Sequence, residues 1–232
     1  MDTLSSARLS SSRPLNTASS CAIEQALSHA DVFSLKRHYE QWSAHYDADV
    51  NAQAYCGPTF MIRFLQSLTP ITAKGRDCRI MDACCGTGLV GEVLRQQGYG
   101  SVDGCDLSPA MVAQARATGT YRLLHGDVDL VCSLPLAFEQ RYDLVLCCGA
   151  FIPGHLPPSA LVGLMAMTRP GGFIVISVRE AYYEAEAFQA HCHELEERHG
   201  LKLIGVHWHG PYLDGVKAHY LAFQVAAGEA WT

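Results

Sequence analysis

After Gly75, short apolar runs alternate with amphipathic stretches, and this alternation constrains the fold of the 232-residue chain more than any other feature. A parallel strand pair needs a long crossover, usually a helix, so the pattern predicts a largely parallel α/β sheet. Residues 210–215 are too few for a crossover, which predicts an antiparallel last strand. The predicted strands span residues 79–83, 101–105, 121–125, 143–148, 172–178, 202–208 and 218–225. The predicted helices between them span residues 88–97, 109–117, 158–168 and 183–198, the last ending at Gly200.

A helical cap is predicted ahead of the sheet. Leu35, Tyr39, Trp42 and Tyr46 follow helical spacing and form one stripe. Such a stripe is typical of core packing or of a lid that closes over a ligand. The residues before the cap are rich in Ser and Thr, which predicts disorder, with an organelle transit peptide as the alternative. The predicted segments are a disordered leader (1–30), a cap (31–70) with helices over 31–50 and 59–68, and the core (71–232).

The charge balance disfavours two kinds of partner. The chain has 17 Lys and Arg against 23 Asp and Glu, a net charge of −6, and contains no basic run. Binding to nucleic acid depends on neutralising phosphates, so no nucleic-acid partner is predicted. No apolar stretch approaches the roughly 18 residues that a membrane span needs. We therefore expect a soluble, cytoplasmic protein without a membrane partner, and we leave a homodimer open.

No metal site is predicted. The ten cysteines fall mostly within apolar runs, so we expect them to be reduced and mostly buried. The adjacent pair Cys84-Cys85 lacks the spacing of zinc ligands. His207 and His209 alternate on a predicted strand and should share a face. No third ligand accompanies them, so a metal remains the weaker interpretation.

A glycine-rich loop follows the first predicted strand and opens a helix. Gly86, Gly88 and Gly91 satisfy the pattern G-x-G-x-x-G, which permits a tight turn and close approach of the backbone to a ligand. Asp106 ends the next strand, where a carboxylate can accept hydrogen bonds from both hydroxyls of a ribose. These features indicate a nucleotide, and by themselves they also suit an NAD(P)-dependent oxidoreductase.

Acidic residues near the loop favour a cationic ligand. Asp82 ends the first strand, where its charge would repel a pyrophosphate. Asp127 follows the third strand and is placed to accept a hydrogen bond from an adenine amino group. The chain lacks the Tyr-x-x-x-Lys pair of short-chain dehydrogenases. Three carboxylates suit an amino acid attached to a sulfonium better than they suit a diphosphate.

Residues 80–91, 104–111 and Gly126-Asp127 resemble three cofactor motifs of class I S-adenosylmethionine-dependent methyltransferases. Within that superfamily the chain is most similar to the Williams–Beuren-region methyltransferase-like proteins. The likeness covers residues 36–226 and is specific for the cofactor rather than the acceptor. The segments that carry it, besides the loop, are residues 39–47, 149–155 and 168–172.

The resemblance implies an S-adenosylmethionine site at the carboxyl ends of the first four strands. Many relatives have Gly or Ala where Cys84 stands, and we expect this small thiol to tighten the turn without loss of binding. A closed cap would also exclude water from the sulfonium. The implied contacts are Asp82, Cys84, Cys85, Gly86, Thr87 and Gly88 for the methionine part, with the Tyr46 phenol on its carboxylate; Asp106 for the ribose; Leu107, Met111, Asp127 and the Val128 amide for the adenine; and Cys148 and Gly149 for the amino-acid part and the methyl-transfer region.

Acceptor residues are predicted beyond the later strands. His155 stands at the predicted start of a helix, where a neutral imidazole would serve as the catalytic base. The alternative is a histidine that caps or packs. Arg179 would meet an acceptor carboxylate or lie in solvent. Tyr39, Phe151 and Tyr212 are the predicted aromatic residues of the substrate site.

The predicted fold is a Rossmann-like class I methyltransferase sheet of seven strands in the order 3-2-1-4-5-7-6. The resemblance implies in-line transfer of a methyl group to an O, N, S or C nucleophile, leaving S-adenosylhomocysteine. Residues 147–151 lack the Asn/Asp-Pro-Pro-aromatic motif of enzymes acting on bases or protein amides. This favours a small, aromatic or apolar acceptor. An NAD(P)-dependent oxidoreductase, a macromolecular methyltransferase and a non-catalytic cofactor sensor are the alternatives.

Overall fold

The computed structural model describes residues 23–27, 31–132, 134–185 and 187–228. Its strands are β1 (Ile80–Ala83), β2 (Val102–Cys105), β3 (Leu123–His125), β4 (Tyr142–Phe151), β5 (Thr168–Arg179), β6 (Lys202–Leu213) and β7 (Val216–Gln224). They form one sheet in the order β3-β2-β1-β4-β5-β7-β6. The pairs among β1 to β5 are parallel, and β7 is antiparallel to both β5 and β6. The predicted fold class and strand order are therefore confirmed.

Helices pack on both faces of this sheet. They are α1 (Val32–Trp42), α2 (Tyr46–Ala52), α3 (Gly57–Gln66), α4 (Thr69–Thr72), α5 (Leu89–Gln96), α6 (Pro109–Ala117), α7 (Leu161–Met167), α8 (Glu180–Ala185) and α9 (Phe188–His199). Along β4, Val145 and Cys147 belong to the apolar cluster beneath α7 and α9, whereas Leu144 and Leu146 belong to the cluster beneath α3 and α5. Because both faces of the strand are covered, it reads as a continuous apolar run.

The cap helix predicted over residues 31–50 is two helices. The chain turns at residues 43–45, between α1 and α2. The turn lets the Trp42 indole N–H donate to Asp49 at 2.7 Å, and it sets the Trp42 and Tyr46 rings 4.7 Å apart. In one straight helix residues 42 and 49 would lie about 10 Å apart along the axis, too far for that hydrogen bond. The helix predicted over 183–198 likewise divides into α8 and α9, and α9 ends at Gly200 as predicted.

The predicted disordered leader overlaps an ordered contact. Residues 23–26 are helical, and Ala26 is buried against Trp42 and Val50 of the cap. A disordered leader was expected over this segment. The helix forms there because Ala26 packs on the apolar residues of the cap. The rest of the leader, apart from residue 27, lies outside the described residues, so the boundaries of the leader, the cap and the core stay predictions.

The prediction that His207 and His209 share a strand face is wrong. A β-bulge interrupts the pairing of β6 with β7, because His207 opposes Tyr220 and Gly210 opposes Ala218. Trp208 and His209 both pack on His219, with ring centroids 4.7 and 5.0 Å away, while His207 packs on Phe60 of α3. An extra residue in a strand reverses the alternation of side chains after it.

Three further features of the described segments concern disulfides, metal sites and membrane-spanning helices. None of the nine cysteines in them forms a disulfide. The same segments contain no group of three His, Cys, Asp or Glu residues that could hold a metal ion. No helix in the part of the chain described above is both long enough and apolar enough to span a membrane.

Candidate functional site

The glycine loop between β1 and α5 lies where the strand order switches. β2 lies on one side of β1 and β4 on the other, and ligands of open α/β sheets bind outside the carboxyl ends of strands at such a point. Gly88 precedes α5 with φ +104°, a conformation that glycine adopts without strain. Cys84 has φ +59° in spite of its side chain, at a cost of about 1–2 kcal/mol. The backbone is therefore held in a tight, strained turn around the site.

Asp82 is the buried carboxylate at the base of this loop. Its side-chain Oδ2 accepts a hydrogen bond from the Tyr121 hydroxyl at 2.6 Å. Its Oδ1 is buried and has no hydrogen-bond partner among the described residues. Burial raises the pKa of Asp82 to about 7, and the Tyr121 hydrogen bond opposes that rise. An unsatisfied buried oxygen costs about 1–3 kcal/mol, so this position fits the α-ammonium group of S-adenosylmethionine.

Asp106 closes the other side of the loop. Its Oδ2 accepts the Gly86 amide and its Oδ1 the Ser108 amide, each at 2.9 Å. Burial raises the pKa of Asp106, and these backbone hydrogen bonds oppose the rise. A carboxylate has about four lone-pair sites, so beside its backbone donors, which include the Leu107 amide, Asp106 retains acceptor capacity for a ribose hydroxyl. The geometry fits the predicted ribose contact.

The predicted adenine contacts after β3 differ from the structure. The Val128 amide donates to the Asp106 carbonyl oxygen at 3.1 Å and so is not free to read the adenine edge. Asp127 is exposed and forms an ion pair with Lys36 of α1. The Val128 contact stays a prediction, and in this structure the turn after β3 uses that amide to hold the end of β2. Asp127 could meet adenine only in competition with Lys36.

The end of β4 faces two phenols, one half-buried and one buried. Tyr55, in the α2–α3 connection, and Tyr212 of β6 have ring centroids 5.1 Å apart. A Cβ built on Gly149 would lie 2.8 Å from the Tyr55 hydroxyl and 3.4 Å from that of Tyr212. The Cys148 thiol contacts the Tyr55 hydroxyl at 3.5 Å, and burial raises the pKa of Cys148 to about 12. These groups form a neutral, aromatic wall beside the predicted methyl-transfer region.

The cap is attached to the loops of the core by polar contacts. The Thr87 hydroxyl of the glycine loop donates to Asp47 of α2 at 2.5 Å. The Tyr39 hydroxyl lies 2.7 Å from His155 Nε2, and His155 Nδ1 lies 3.0 Å from the Pro153 carbonyl oxygen. A carbonyl can only accept, so Nδ1 carries the proton and Nε2 of the neutral ring accepts the Tyr39 hydroxyl.

The position of His155 differs from the expected one. The helical turn after β4 starts at Pro158, with Pro157 before it, so His155 does not stand at a helix N-terminus. Its contact with Tyr39 nevertheless joins it to the cap. Tyr46 packs on the Trp42 ring, and burial raises its pKa. Burial raises the pKa of Tyr39 as well, so both phenols stay protonated.

Other predicted residues divide between the site and the core. The substrate contact of Phe151 stays a prediction. This residue is fully buried against Phe188, with ring centroids 5.4 Å apart. It packs in the core because it lies beyond the register shift near the end of β4. Arg179 lies half-buried near Tyr212 and counteracts the rise in the pKa of that phenol. Met111 is buried and Cys85 packs against α6, while Leu107 is half-buried.

Sequence reasoning missed four contributors, which are Lys36, Asp47, Tyr55 and Tyr121. Each acts through a partner at least 39 positions away in the chain. Local periodicity carries no information on such pairs. Only Tyr121 had a local signal, because it starts the third predicted strand and the strand before it contains Gly104, which leaves space for a ring.

The comparisons agree with this geometry. Residues 80–172 match a family model described as a methyltransferase domain. Human methyltransferase-like protein 27 is 34% identical over 153 residues, which cover 64% of this chain and 59% of that protein. The ubiquinone biosynthesis O-methyltransferase of Xylella fastidiosa is 32% identical over 103 residues, which cover 43% of this chain and 41% of that one. The chain thus spans about two fifths to three fifths of the length of these relatives.

A solved structure shares the fold. The TehB-like SAM-dependent methyltransferase from Corynebacterium glutamicum superposes with a TM-score of 0.58 at 22% identity, covering 82% of this chain and 98% of that one. At this identity the likeness concerns the fold alone. The chain therefore has the fold of a class I methyltransferase, and its residues 80–172 match a methyltransferase domain.

Proposed function

We propose that the protein transfers a methyl group from S-adenosylmethionine to an O, N, S or C nucleophile of a small molecule. The observation that carries the proposal is the buried, unpartnered Oδ1 of Asp82 at the base of the glycine loop. A pyrophosphate would place negative charge against this carboxylate, whereas an ammonium group would satisfy it. This contrast disfavours an NAD(P)-dependent oxidoreductase.

The residues of the chain bind and orient the reactants. When bound, S-adenosylmethionine supplies an electrophilic methyl group on a sulfonium. Asp82 holds the ammonium group and Asp106 the ribose hydroxyls, while the cap excludes water. Orientation of this kind supplies about 7–11 kcal/mol in favourable cases.

The Tyr39–His155 pair handles the proton when the nucleophile carries one. His155 Nε2 accepts the Tyr39 hydroxyl, and the Tyr39 oxygen retains a lone pair that can accept a proton from the substrate. As Tyr39 passes its own proton to His155, it takes one from the nucleophile and remains neutral. The raised pKa of Tyr39 favours this concerted transfer over a free phenolate.

A small, aromatic or apolar acceptor suits the phenols at the end of β4. Half-buried Tyr55 and buried Tyr212 pack together there, and the contacts of Asp47 and Tyr39 attach the cap to the loops of the core. With the acidic net charge, this disfavours a nucleic-acid substrate. The ubiquinone biosynthesis O-methyltransferase among the relatives supports an oxygen nucleophile. We place the reaction in the cytoplasm, without a membrane partner, and leave the homodimer to measurement.

Calorimetric titration of the full chain tests the cofactor. We expect S-adenosylhomocysteine to bind and NADH not to bind. Binding of NADH alone would overturn the proposal.

Incubation with methyl-labelled S-adenosylmethionine and a source extract then tests the acceptor. We expect label in the ultrafiltered small-molecule fraction; label only in protein or RNA would contradict the acceptor class, and saturable cofactor binding without any transfer would indicate a sensor.

The variant His155→Ala tests the proton path. We expect turnover of a hydroxyl acceptor to fall about 100-fold with unchanged affinity for S-adenosylhomocysteine. The matched control is His193→Ala, on the exposed face of α9. Full turnover by His155→Ala would remove the catalytic role and leave a packing histidine.

A further inference from the structure

We propose that Tyr121 is a positioning residue of the cofactor site, which engages one carboxylate oxygen of Asp82 and aims the other at the ammonium group of the ligand. This inference rests on the proposed function, because it assigns the ligand of Asp82. It adds a residue that lies outside the glycine loop and outside the three cofactor motifs.

The Tyr121 hydroxyl connects the two ends of the glycine loop. It donates to Asp82 Oδ2 at 2.6 Å and accepts the backbone amide of Gly91 at 3.1 Å. Gly91 lies in the first turn of α5, whereas Asp82 lies in β1. A single phenol therefore fixes the distance between the strand and the helix that enclose the ligand.

Three glycines form the space that the Tyr121 ring fills. A Cβ on Gly88 would lie 3.1 Å from the ring, one on Gly104 would lie 3.0 Å from it, and one on Gly91 would overlap it. Two of these glycines belong to the pattern G-x-G-x-x-G. In this chain, two glycines of the pattern are therefore needed to leave room for the Tyr121 ring, in addition to letting a ligand approach the backbone.

The direction of the hydrogen bond decides its effect. Burial and the nearby Asp82 carboxylate raise the pKa of Tyr121, so the phenol remains protonated and donates. Donation stabilises the charged form of Asp82 against its burial. Because Oδ2 is engaged, Oδ1 is the oxygen left to meet a ligand.

Several titratable groups surround Asp82. Only Tyr121 donates a hydrogen bond to it among the described residues, and Asp106 raises its pKa through like charge. No described Lys, Arg or His forms an ion pair with it. The neighbouring thiols, whose raised pKa values keep them neutral, are Cys84, Cys85, Cys105 and Cys148.

The test is Tyr121→Phe in the full chain, which keeps the ring in its space and removes the hydroxyl. The matched control is Tyr142→Phe, because Tyr142 is also buried and donates to a buried carboxylate, Asp103, at 3.1 Å, away from the loop. The ligands are S-adenosylhomocysteine, which carries the ammonium group, and 5′-methylthioadenosine, which lacks the whole amino-acid part. Dissociation constants are measured by calorimetry from about pH 6.5 to 8.5.

We expect Tyr121→Phe to weaken S-adenosylhomocysteine binding about eightfold at pH 6.5 and less than about 1.5-fold at pH 8.5, since one lost hydrogen bond raises the pKa of Asp82 by about one unit from its value of about 7. Binding of 5′-methylthioadenosine should be unchanged, and Tyr142→Phe should match the wild type with both ligands. The positioning role would be overturned if Tyr121→Phe bound S-adenosylhomocysteine as tightly as the wild type does. It would also be overturned if the loss of affinity were independent of pH, or if 5′-methylthioadenosine lost affinity to the same extent. Failure of the wild type itself to bind S-adenosylhomocysteine would instead overturn the proposed function.

Discussion

Two aspartates on adjacent strands, Asp82 of β1 and Asp103 of β2, have nearly the same local environment. Both side chains are fully buried, and each accepts a hydrogen bond from a tyrosine, at 2.6 Å from Tyr121 and at 3.1 Å from Tyr142. Asp103 pairs in register with Met81, the residue before Asp82. The two carboxylates nevertheless serve different purposes.

The difference is a cation. Asp103 receives two hydrogen bonds from the Arg122 guanidinium, at 3.1 and 2.9 Å, so its charge is compensated within the chain. Asp82 has no such partner among the described residues and keeps Oδ1 unpaired. A buried carboxylate with its own cation holds the fold together, whereas one without it is held ready for a cation from outside.

The largest expected effect comes from Asp82→Asn. We expect affinity for S-adenosylhomocysteine to fall about 100-fold, because the charge that meets the ammonium group is lost. The ligand-free protein should be as stable as the wild type or more so, since an uncompensated buried charge is removed. Calorimetry and urea unfolding measure the two quantities. An affinity within threefold of the wild type would erase the contrast between the two aspartates.

For Arg122→Met we expect the opposite result to that for Asp82→Asn, namely a loss of stability without a loss of ligand affinity. Loss of the guanidinium leaves Asp103 buried without its cation, and we expect the free energy of unfolding to fall by about 2 kcal/mol. This is less than for a fully buried pair, because 44% of the Arg122 side chain is exposed and solvent screens its charge. Affinity for S-adenosylhomocysteine should not change. Weaker binding of S-adenosylhomocysteine with an unchanged free energy of unfolding would show that Asp103 also serves the site.

The dependence of stability on pH sharpens the comparison. The pKa of Asp82 is raised from 3.8 to about 7, so the folded protein holds this proton more tightly than the unfolded chain does. Its stabilising contribution is present below about pH 4 and is lost as the pH rises through 7. Urea unfolding of wild type and Asp82→Asn should therefore diverge over this interval by at most about 1.4 kcal/mol per pH unit. Parallel curves would contradict the raised pKa.

The smallest effect is expected for Tyr142→Phe. Removal of one hydrogen bond from Asp103 should lower the free energy of unfolding by about 1 kcal/mol, because Arg122 still satisfies that carboxylate. Thermal or urea unfolding measures the change. A loss as large as that of Arg122→Met would mean that the phenol, rather than the cation, compensates Asp103.

Several features of the site followed from sequence because they depend on short spacings. Asp82 and Asp106 end neighbouring parallel strands, which places them at one edge of the sheet whatever the rest of the chain does. The position of the glycine loop follows from the same alternation, whereas the strand order was implied by the resemblance to the class I methyltransferases. Spacing did not reveal the register shift beyond which Phe151 packs in the core, nor the backbone hydrogen bond that engages the Val128 amide.

The residue sequence alone determined the α/β sheet and the acids at the mouth of the glycine loop, because alternation and spacing act within one β-α-β unit of about 30 residues. The strand order came from the resemblance to a known family. Only the tertiary structure decided that Asp103 has a cation and Asp82 does not. It also decided that Tyr121 occupies the space left by three glycines and that α1 and α2 attach to loops far along the chain. Such pairings are set by packing across the sheet, where sequence separation no longer measures distance.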